Sequence, residues 1–524
     1  MRRLALGAAA VAAVVLGLLL MGPVIHGPIT GDDVYYDFHA ASDTEGLQHV
    51  RVGTGRVDVL TRLERRVTGA LVVDTAVATG RSARDVLGVL RVGYLVVSLG
   101  AVYALLRTLR WRRRDSGELV RLTGRTCAVA MTVGGLAFAA GAQAQLVGLH
   151  GWNGWVSYPV STLTLPLSVF GVAALALWLA RCSAARGWAV GAPAAILLLV
   201  IGGLTNYRYE LTFLALPVVL VTLVLVPVSS REQRSAGRRA KWLLGGAYAA
   251  GFVPLLVYNR VMIGRACAHT DCYAGVRPSL GLAMARTFAV NVVSSVPGAG
   301  RSEIAGLLRS QGVSTAGLWS PTVWSVLAAL ALLGILALVW WGSRPEPGEP
   351  VVPDAEDLHA QGVLCAVGAG LLVLGGLGAA AIMSLSGGAQ DDMSRIGLLN
   401  RSSPTTWLGL AFGLTLLVIG LGLLRPRLAL PSYVVLGVLL ALLVTVKVPA
   451  DRRITVANDA LMGASDQVFA EMVRGQQGEA ANQRRCAVLS QVDREMSDFY
   501  AVAVRHSADR AFEHFWHVPF CAPS

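Results

Sequence analysis

Residues 2–36 read RRLALGAAAVAAVVLGLLLMGPVIHGPITGDDVYY, and the apolar half of that stretch decides the fold. From Leu4 to Gly22 there is no charged side chain, which is enough helix to cross a hydrocarbon layer of about 30 Å. A secretory leader is the alternative. The apolar run is long for one, and Met21-Gly22-Pro23 is a poor small-residue cleavage site, so a retained anchor is expected. Ten residues further on, Asp32 and Asp33 stand side by side where the chain leaves the membrane.

The rest of the chain repeats the first theme. Of 524 residues, 54% are hydrophobic and only 15% charged, against about 25% charged in soluble domains; the mean hydropathy is +0.57. Apolar runs of spanning length recur near 4–22, 86–106, 127–148, 160–180, 188–205, 211–228, 242–263, 323–341, 362–384, 407–424 and 428–446. The expectation is an all-α polytopic membrane protein with about eleven transmembrane helices. Residues 1–446 form the membrane domain, with external loops at 23–85 and 264–322, and residues 447–524 form a small helical extracytoplasmic domain. Within that last domain, helices are expected at 456–475, 478–497 and 499–514.

A net charge of +13 is not a nucleic-acid footprint here, because its distribution follows topology. Arg107, Arg110, Arg112, Arg113, Arg114, Arg121 and Arg125 crowd one short loop, and Arg231, Arg234, Arg238, Arg239 and Lys241 another. Both fall on one side when spans are counted, which is the positive-inside signal. With Arg2 and Arg3 they predict a cytoplasmic amino terminus and an extracytoplasmic carboxyl terminus. No nucleic-acid partner is expected; membrane lipids are.

Seven cysteines divide by the same topology. Cys127, Cys182 and Cys365 fall in or at the ends of spans, where a thiol behaves as a small apolar group. Cys267, Cys272, Cys486 and Cys521 fall in external segments. An even number on the oxidising side predicts two disulfides, most simply 267–272 and 486–521.

Chemistry-bearing residues gather in the external turns. For Asp32 and Asp33 two readings compete. Aspartates after a glycine favour turns and helix caps. Two carboxylates a few ångströms apart also raise one pKa or recruit a divalent cation (Mg, Mn or Ca) that neutralises both, and Tyr35 and Tyr36 beside them suit an interface. In Asn206-Tyr207-Arg208-Tyr209-Glu210, opposite charges are squeezed into a tight turn at the membrane surface. They form either a local Arg208–Glu210 ion pair or a ligand site, in which the arginine forks onto a phosphate. Arg395 and Arg401, in the segment from Asp391 to Ser402, lie outside against the short-loop charge bias, as an anionic ligand or a solvated polar loop would have it. His150, Trp152, Asn153, Trp155 and Tyr158 make the remaining external turn aromatic, suited to an interface belt or to sugar faces. Residues 57–71 place Val57, Leu60, Leu63, Val67, Ala70 and Leu71 at helical spacing beside a basic face; such a helix lies in the interface or packs on the protein's own external domain. No Walker loop or G-x-S-x-G elbow occurs. The glycines at 375–378 lie inside a span, where small residues let helices approach.

Gly31-Asp32-Asp33 after span one, Gly55-Arg56 opening the amphipathic helix and Tyr209-Glu210 at the start of span six together form a pattern. It resembles the GT-C superfamily of polytopic glycosyltransferases, which take sugars from polyprenyl-phosphate carriers. The resemblance implies an inverting transfer on the outer side of a bacterial plasma membrane, to an envelope glycan such as an arabinan, or to a lipid or protein acceptor. It implies Asp33 or Asp32 as general base on the acceptor hydroxyl, the other holding acceptor or cation. Arg208, Arg395, Arg401 and Arg56 would bind the donor phosphate, and Glu210, Tyr207, Tyr36, His150 and Trp152 the substrates. Rival expectations are an O-antigen-type polymerase or ligase, and a transporter or flippase of a lipid-linked intermediate; the latter calls for internal repeats and midplane charges.

Overall fold

The computed structural model describes residues 1–29, 34, 38, 59–113, 117–144, 167–206, 215–225, 234–269, 279–299, 301–310, 312, 314–344, 355–387, 390, 403–461, 463–495 and 498–522. Helices dominate them: α1 (Arg2–Ile25), α2 (Val59–Thr79), α3 (Ala83–Thr108), α4 (Gly124–Gly141), α5 (Val172–Arg186), α6 (Trp188–Asn206), α7 (Ala215–Leu225), α8 (Arg234–His269), α9 (Leu282–Ser295), α10 (Arg301–Ser310), α11 (Val323–Gly342), α12 (Ala355–Ser384), α13 (Ser403–Leu424), α14 (Pro426–Leu461), α15 (Gly463–Arg474), α16 (Glu479–Glu495) and α17 (Asp498–Trp516). A π-helical turn, Leu167–Gly171, leads into α5.

Local chemistry sets several boundaries. Ser82 accepts a hydrogen bond from the Asp85 amide at the start of α3, Thr123 one from Thr126 at the start of α4, and Thr322 with Ser325 forms a reciprocal box at the start of α11. Each satisfies an amide that the first helical turn leaves unpaired. The basic loop after α3 is not wholly irregular: Trp111–Arg112 (β1) pairs antiparallel with Leu119–Val120 (β2).

Eight of the described helices are long and apolar enough to cross a bilayer: α1, α3, the helix at 169–186, α8 over 237–258, α11, α12, α13 and α14. The chain is therefore a polytopic helical membrane protein. Three other expected spans coincide with α4, α6 and α7, which within the described residues fall short of a full crossing in length or hydropathy. Val14, Leu19, Val89, Val96, Leu330 and Leu442 are exposed, as befits side chains whose solvent is lipid.

Small residues hold the bundle together. α12 and α13 lie against each other at Gly376 and Gly409; a Cβ on Gly376 would sit 2.9 Å from the Thr406 carbonyl, and Thr406 Oγ1 donates to the Gly376 carbonyl at 2.9 Å. α6 and α8 meet in the same way. A Cβ on Gly202 would overlap the Tyr248 carbonyl oxygen and one on Gly251 that of Leu199. Gly251→Ala is thus expected to destabilise by about 1–3 kcal/mol, because backbone rather than a mobile side chain must give. Gly246→Ala, on the same helix but facing open space, is expected to leave the unfolding midpoint in detergent unchanged or slightly raised. Equal midpoints for the two variants would refute this account of the contact.

Two cores result. One fills the membrane bundle, among α1, α3–α8 and α11–α14. The second lies at the end of the bundle where α1 finishes, and joins Ile29, Val34 and Phe38 to Val72, Val73 and Ala76 of α2, to the first turns of α3 and to α15–α17. In α2 the buried face is Val72, Val73 and Ala76, while Val67 and Leu71 stay exposed, so this helix packs on the second core and also presents an apolar edge. α14 runs on to Leu461, so the eleventh expected span and the start of the expected 456–475 helix are one rod, and a separate helix begins at Gly463.

The Cys486–Cys521 disulfide forms as expected and ties α16 to the chain's end. Cys127, Cys182 and Cys365 are free thiols. Cys272 and the side chain of Cys267 lie outside the described residues. Replacing both Cys486 and Cys521 with serine releases a loop of 35 residues' separation, and the expected cost is about 3–4 kcal/mol on chain entropy alone. The check is a lower unfolding midpoint under non-reducing conditions that disappears when wild type and variant are compared with reductant.

Candidate functional site

The peptide from Leu20 to Ile29, which delivers the chain to Asp32 and Asp33, is gripped from three directions. Pro23 in the last turn of α1 lacks an amide hydrogen, so this helix end is poor in internal hydrogen bonds. Other helices supply donors. Arg91, in α3, is 2% exposed and its Nη1 donates to the carbonyls of Ile25 at 2.9 Å and Gly27 at 3.2 Å. Lys447, in α14, donates to the Leu20 carbonyl at 2.5 Å and pairs with Asp451 one turn on. Cations at a helix carboxyl end also meet the negative pole of its dipole.

Lys447 and Asp451 are both almost fully buried. Asp451 completes a node, because its Oδ1 accepts from the Ala144 amide at 2.9 Å just past the end of α4. A charge pair in such a place is tolerable because each group has the other and a backbone partner besides, the Leu20 carbonyl for Lys447 and the Ala144 amide for Asp451.

A third link joins α3 to α14 and α15. Arg84, at the start of α3, grips both carboxylate oxygens of Asp466 in α15, through Nε at 2.9 Å and through Nη2, and reaches Asp459 of α14 at 2.8 Å. Asp466 in turn accepts from the Ile29 amide; burial pushes its carboxyl up, while Arg84 and that amide pull it down. Beyond Ile29, Val34 and Phe38 are wholly buried, and the Phe38 ring lies 4.4 Å from that of Phe469, centroid to centroid. The residues on either side of the acidic pair are thereby anchored in one core.

Asp32 and Asp33 themselves lie outside the described residues, as do Tyr36, Arg56, His150, Trp152, Tyr207, Arg208, Glu210, Arg395 and Arg401. The helix ends from which several of their segments depart are described, and those of α1, α4, α12 and α13 share one end of the bundle. Ala144 follows α4 into the segment of His150 and Trp152, and meets α14. Trp407, in the first turns of α13 just after Arg401, donates to the Phe138 carbonyl near the end of α4 at 3.0 Å. Asn291 of α9 donates to Ser384 Oγ at the end of α12 at 2.9 Å, and Ser279 and Gln390 bind the same corner. α6, returning from the tight turn after α5, ends at Asn206, immediately before Tyr207 and Arg208. Among the described residues no group of three or more metal-ligating side chains converges.

Arg91, Lys447 and Asp451 were not among the expected site residues. A signal existed: Arg91 is the one charge inside 86–106, and an ionisable residue within a span is by default a candidate for function. Their partners were not legible, since a carbonyl of α1 has no signature. Comparison with protein-family models, curated proteins and solved structures finds no match.

Proposed function

We propose that this chain is a membrane glycosyltransferase that moves a sugar from a polyprenyl-phosphate donor to an envelope glycan, lipid or protein acceptor. One observation carries the proposal: both flanks of Asp32–Asp33 are pinned, at Leu20–Ile29 by Arg91, Lys447 and Asp466, and at Val34 and Phe38 by the second core. Fixing the backbone around a carboxylate pair is what a general base requires, since proton transfer demands hydrogen-bond geometry before it demands a tuned pKa. A simple solvated turn needs no such anchoring.

The chemistry is a single in-line displacement. The acceptor oxygen bonds to the anomeric carbon from the face opposite the phosphate, its proton passes to Asp33 or Asp32, and the carbon–oxygen bond to the lipid phosphate breaks. Polyprenyl phosphate leaves with the electron pair. Arg208, Arg395, Arg401 and Arg56 are assigned to the developing negative charge, and Glu210, Tyr207, Tyr36, His150 and Trp152 to sugar and acceptor. A divalent cation, where one is used, belongs to Asp32 and Asp33 and would neutralise their mutual repulsion. The basic ends of α3, α5 and α8 are assigned to the cytoplasm, and the end bearing α15–α17 and the Cys486–Cys521 bridge to the oxidising side.

The test is incubation of purified protein with a panel of polyprenyl-phosphate sugars, with and without a divalent cation. Consumption of one donor with release of polyprenyl phosphate is expected. Movement of intact donor across a vesicle without cleavage would replace the enzyme with a flippase, and no consumption of any donor would remove the proposal.

A further inference from the structure

At the opposite end of the bundle, cations from four elements converge. Arg107 lies in the last turn of α3 and Arg110 two residues past its end, Arg121 follows β2, Arg181 lies in the last turns of α5 and Lys241 in the first turns of α8. Arg181 Nη2 donates to the Thr108 carbonyl, Arg107 Nη1 to that of Leu122 at 3.3 Å, and Arg110 Nη1 to those of Arg107 and Leu109 at 2.9 and 3.0 Å. Arg181 stands within electrostatic reach of Arg110 on one side and Lys241 on the other. Burial, then Arg121 and Arg107, push the Arg110 guanidinium down from its ordinary value.

Capping of α3 does not explain so many charges. A helix carboxyl end carries about half a negative charge; Arg110 and Arg181 already share it, and Arg107 turns to the Leu122 carbonyl instead. None of Arg107, Arg110 and Arg181 has a carboxylate partner among the described residues; nearby Glu356 and Asp357 are both taken by Arg113, at 2.9 and 3.0 Å. The Arg181 Nε is buried with no hydrogen-bond partner. These three guanidinium groups repel one another unless an anion joins them.

The surroundings say which anion. Trp242, next to Lys241, is 69% exposed and Trp188, two residues past Arg186, is 75% exposed. Exposed indoles flanking a helix bundle sit at the headgroup level of a bilayer, so the cluster faces lipid headgroups rather than open solvent. We propose that the guanidinium cluster at the ends of α3 and α5, with Lys241 of α8, binds the phosphate of an anionic glycerophospholipid in the adjoining leaflet. Guanidinium forks suit a phosphodiester, and basic pockets between spans are built for such headgroups.

The test uses the full-length protein in detergent, titrated with dioleoyl-phosphatidylglycerol, dioleoyl-phosphatidylcholine or inorganic phosphate, with bound lipid counted by native mass spectrometry and unfolding followed by heat. Phosphatidylglycerol is expected to bind about tenfold more tightly than phosphatidylcholine and to raise the unfolding midpoint. Arg110→Gln and Arg181→Gln are each expected to lose most of that preference while unfolding at the wild-type midpoint in phosphatidylcholine, since glutamine keeps an amide donor and like-charge repulsion falls. Arg427→Gln, an exposed arginine at the same end, is expected to bind as wild type does. Equal binding of the two lipids overturns the proposal, as does equal loss on Arg427→Gln. Variants that unfold early in both lipids point to helix capping alone and also overturn it, and displacement of lipid by millimolar phosphate assigns the site to a free anion instead.

Discussion

Lys447→Met is expected to lower the unfolding free energy by about 3–5 kcal/mol, the range for removing one partner of a buried ion pair. The loss has two parts. The Asp451 carboxylate, 3% exposed, is left without its counter-charge, and the Leu20 carbonyl loses the ammonium that serves it. Asp451→Leu carries a comparable penalty, because it strands the ammonium and the Ala144 amide together. The double variant Lys447→Met/Asp451→Leu is expected to be more stable than either single one, since apolar replacement of both partners removes the buried charge and forfeits only ordinary hydrogen bonds. Thermal unfolding of the four proteins in one detergent gives the coupling directly. Additive losses across the pair would show that Lys447 and Asp451 do not share a buried site.

Asp33→Ala is expected to reduce sugar transfer by about 10²-fold or more, the usual consequence of deleting a general base, with Asp32→Ala similar. Folding should survive, because Ile29, Val34 and Phe38 hold this part of the chain through the Asp466 carboxylate and the second core. The decisive comparison is turnover of a consumed donor against the unfolding midpoint, measured on the same preparations. Undiminished transfer by the doubly substituted protein would end the case for a base at this position. Lost transfer with a midpoint lowered as far as that of Lys447→Met would make the pair structural instead.

These two experiments fall on different kinds of residue. Asp32 and Asp33 stand out in the chain because they are adjacent, acidic and placed at a span's exit. Lys447 and Asp451 are a plain i,i+4 pair whose importance depends on Leu20 and Ala144, which reach them only in the folded bundle. Arg84 is similar: in the sequence it is one arginine in the turn before a span, and its meaning comes from Asp459 and Asp466. The acidic pair's flanks were legible as apolar residues, yet nothing in Ile29, Val34 or Phe38 announced that α15 would cover them.

By itself, the sequence determined that this is a helical polytopic membrane protein, because long uncharged runs have no other way to satisfy their backbone in lipid. It also offered Cys486–Cys521 as part of the simplest pairing of four cysteines, which the structure bears out, and the glycines at 375–378 as packing surface. Only the tertiary structure decided where α14 ends, which face of α2 is buried, and which carbonyls Arg91 and Lys447 serve. The physical reason is range. Hydropathy and capping act between residues a turn apart and leave a local record, whereas the burial of a charge is settled by backbone groups distant in the chain, whose availability no side chain encodes.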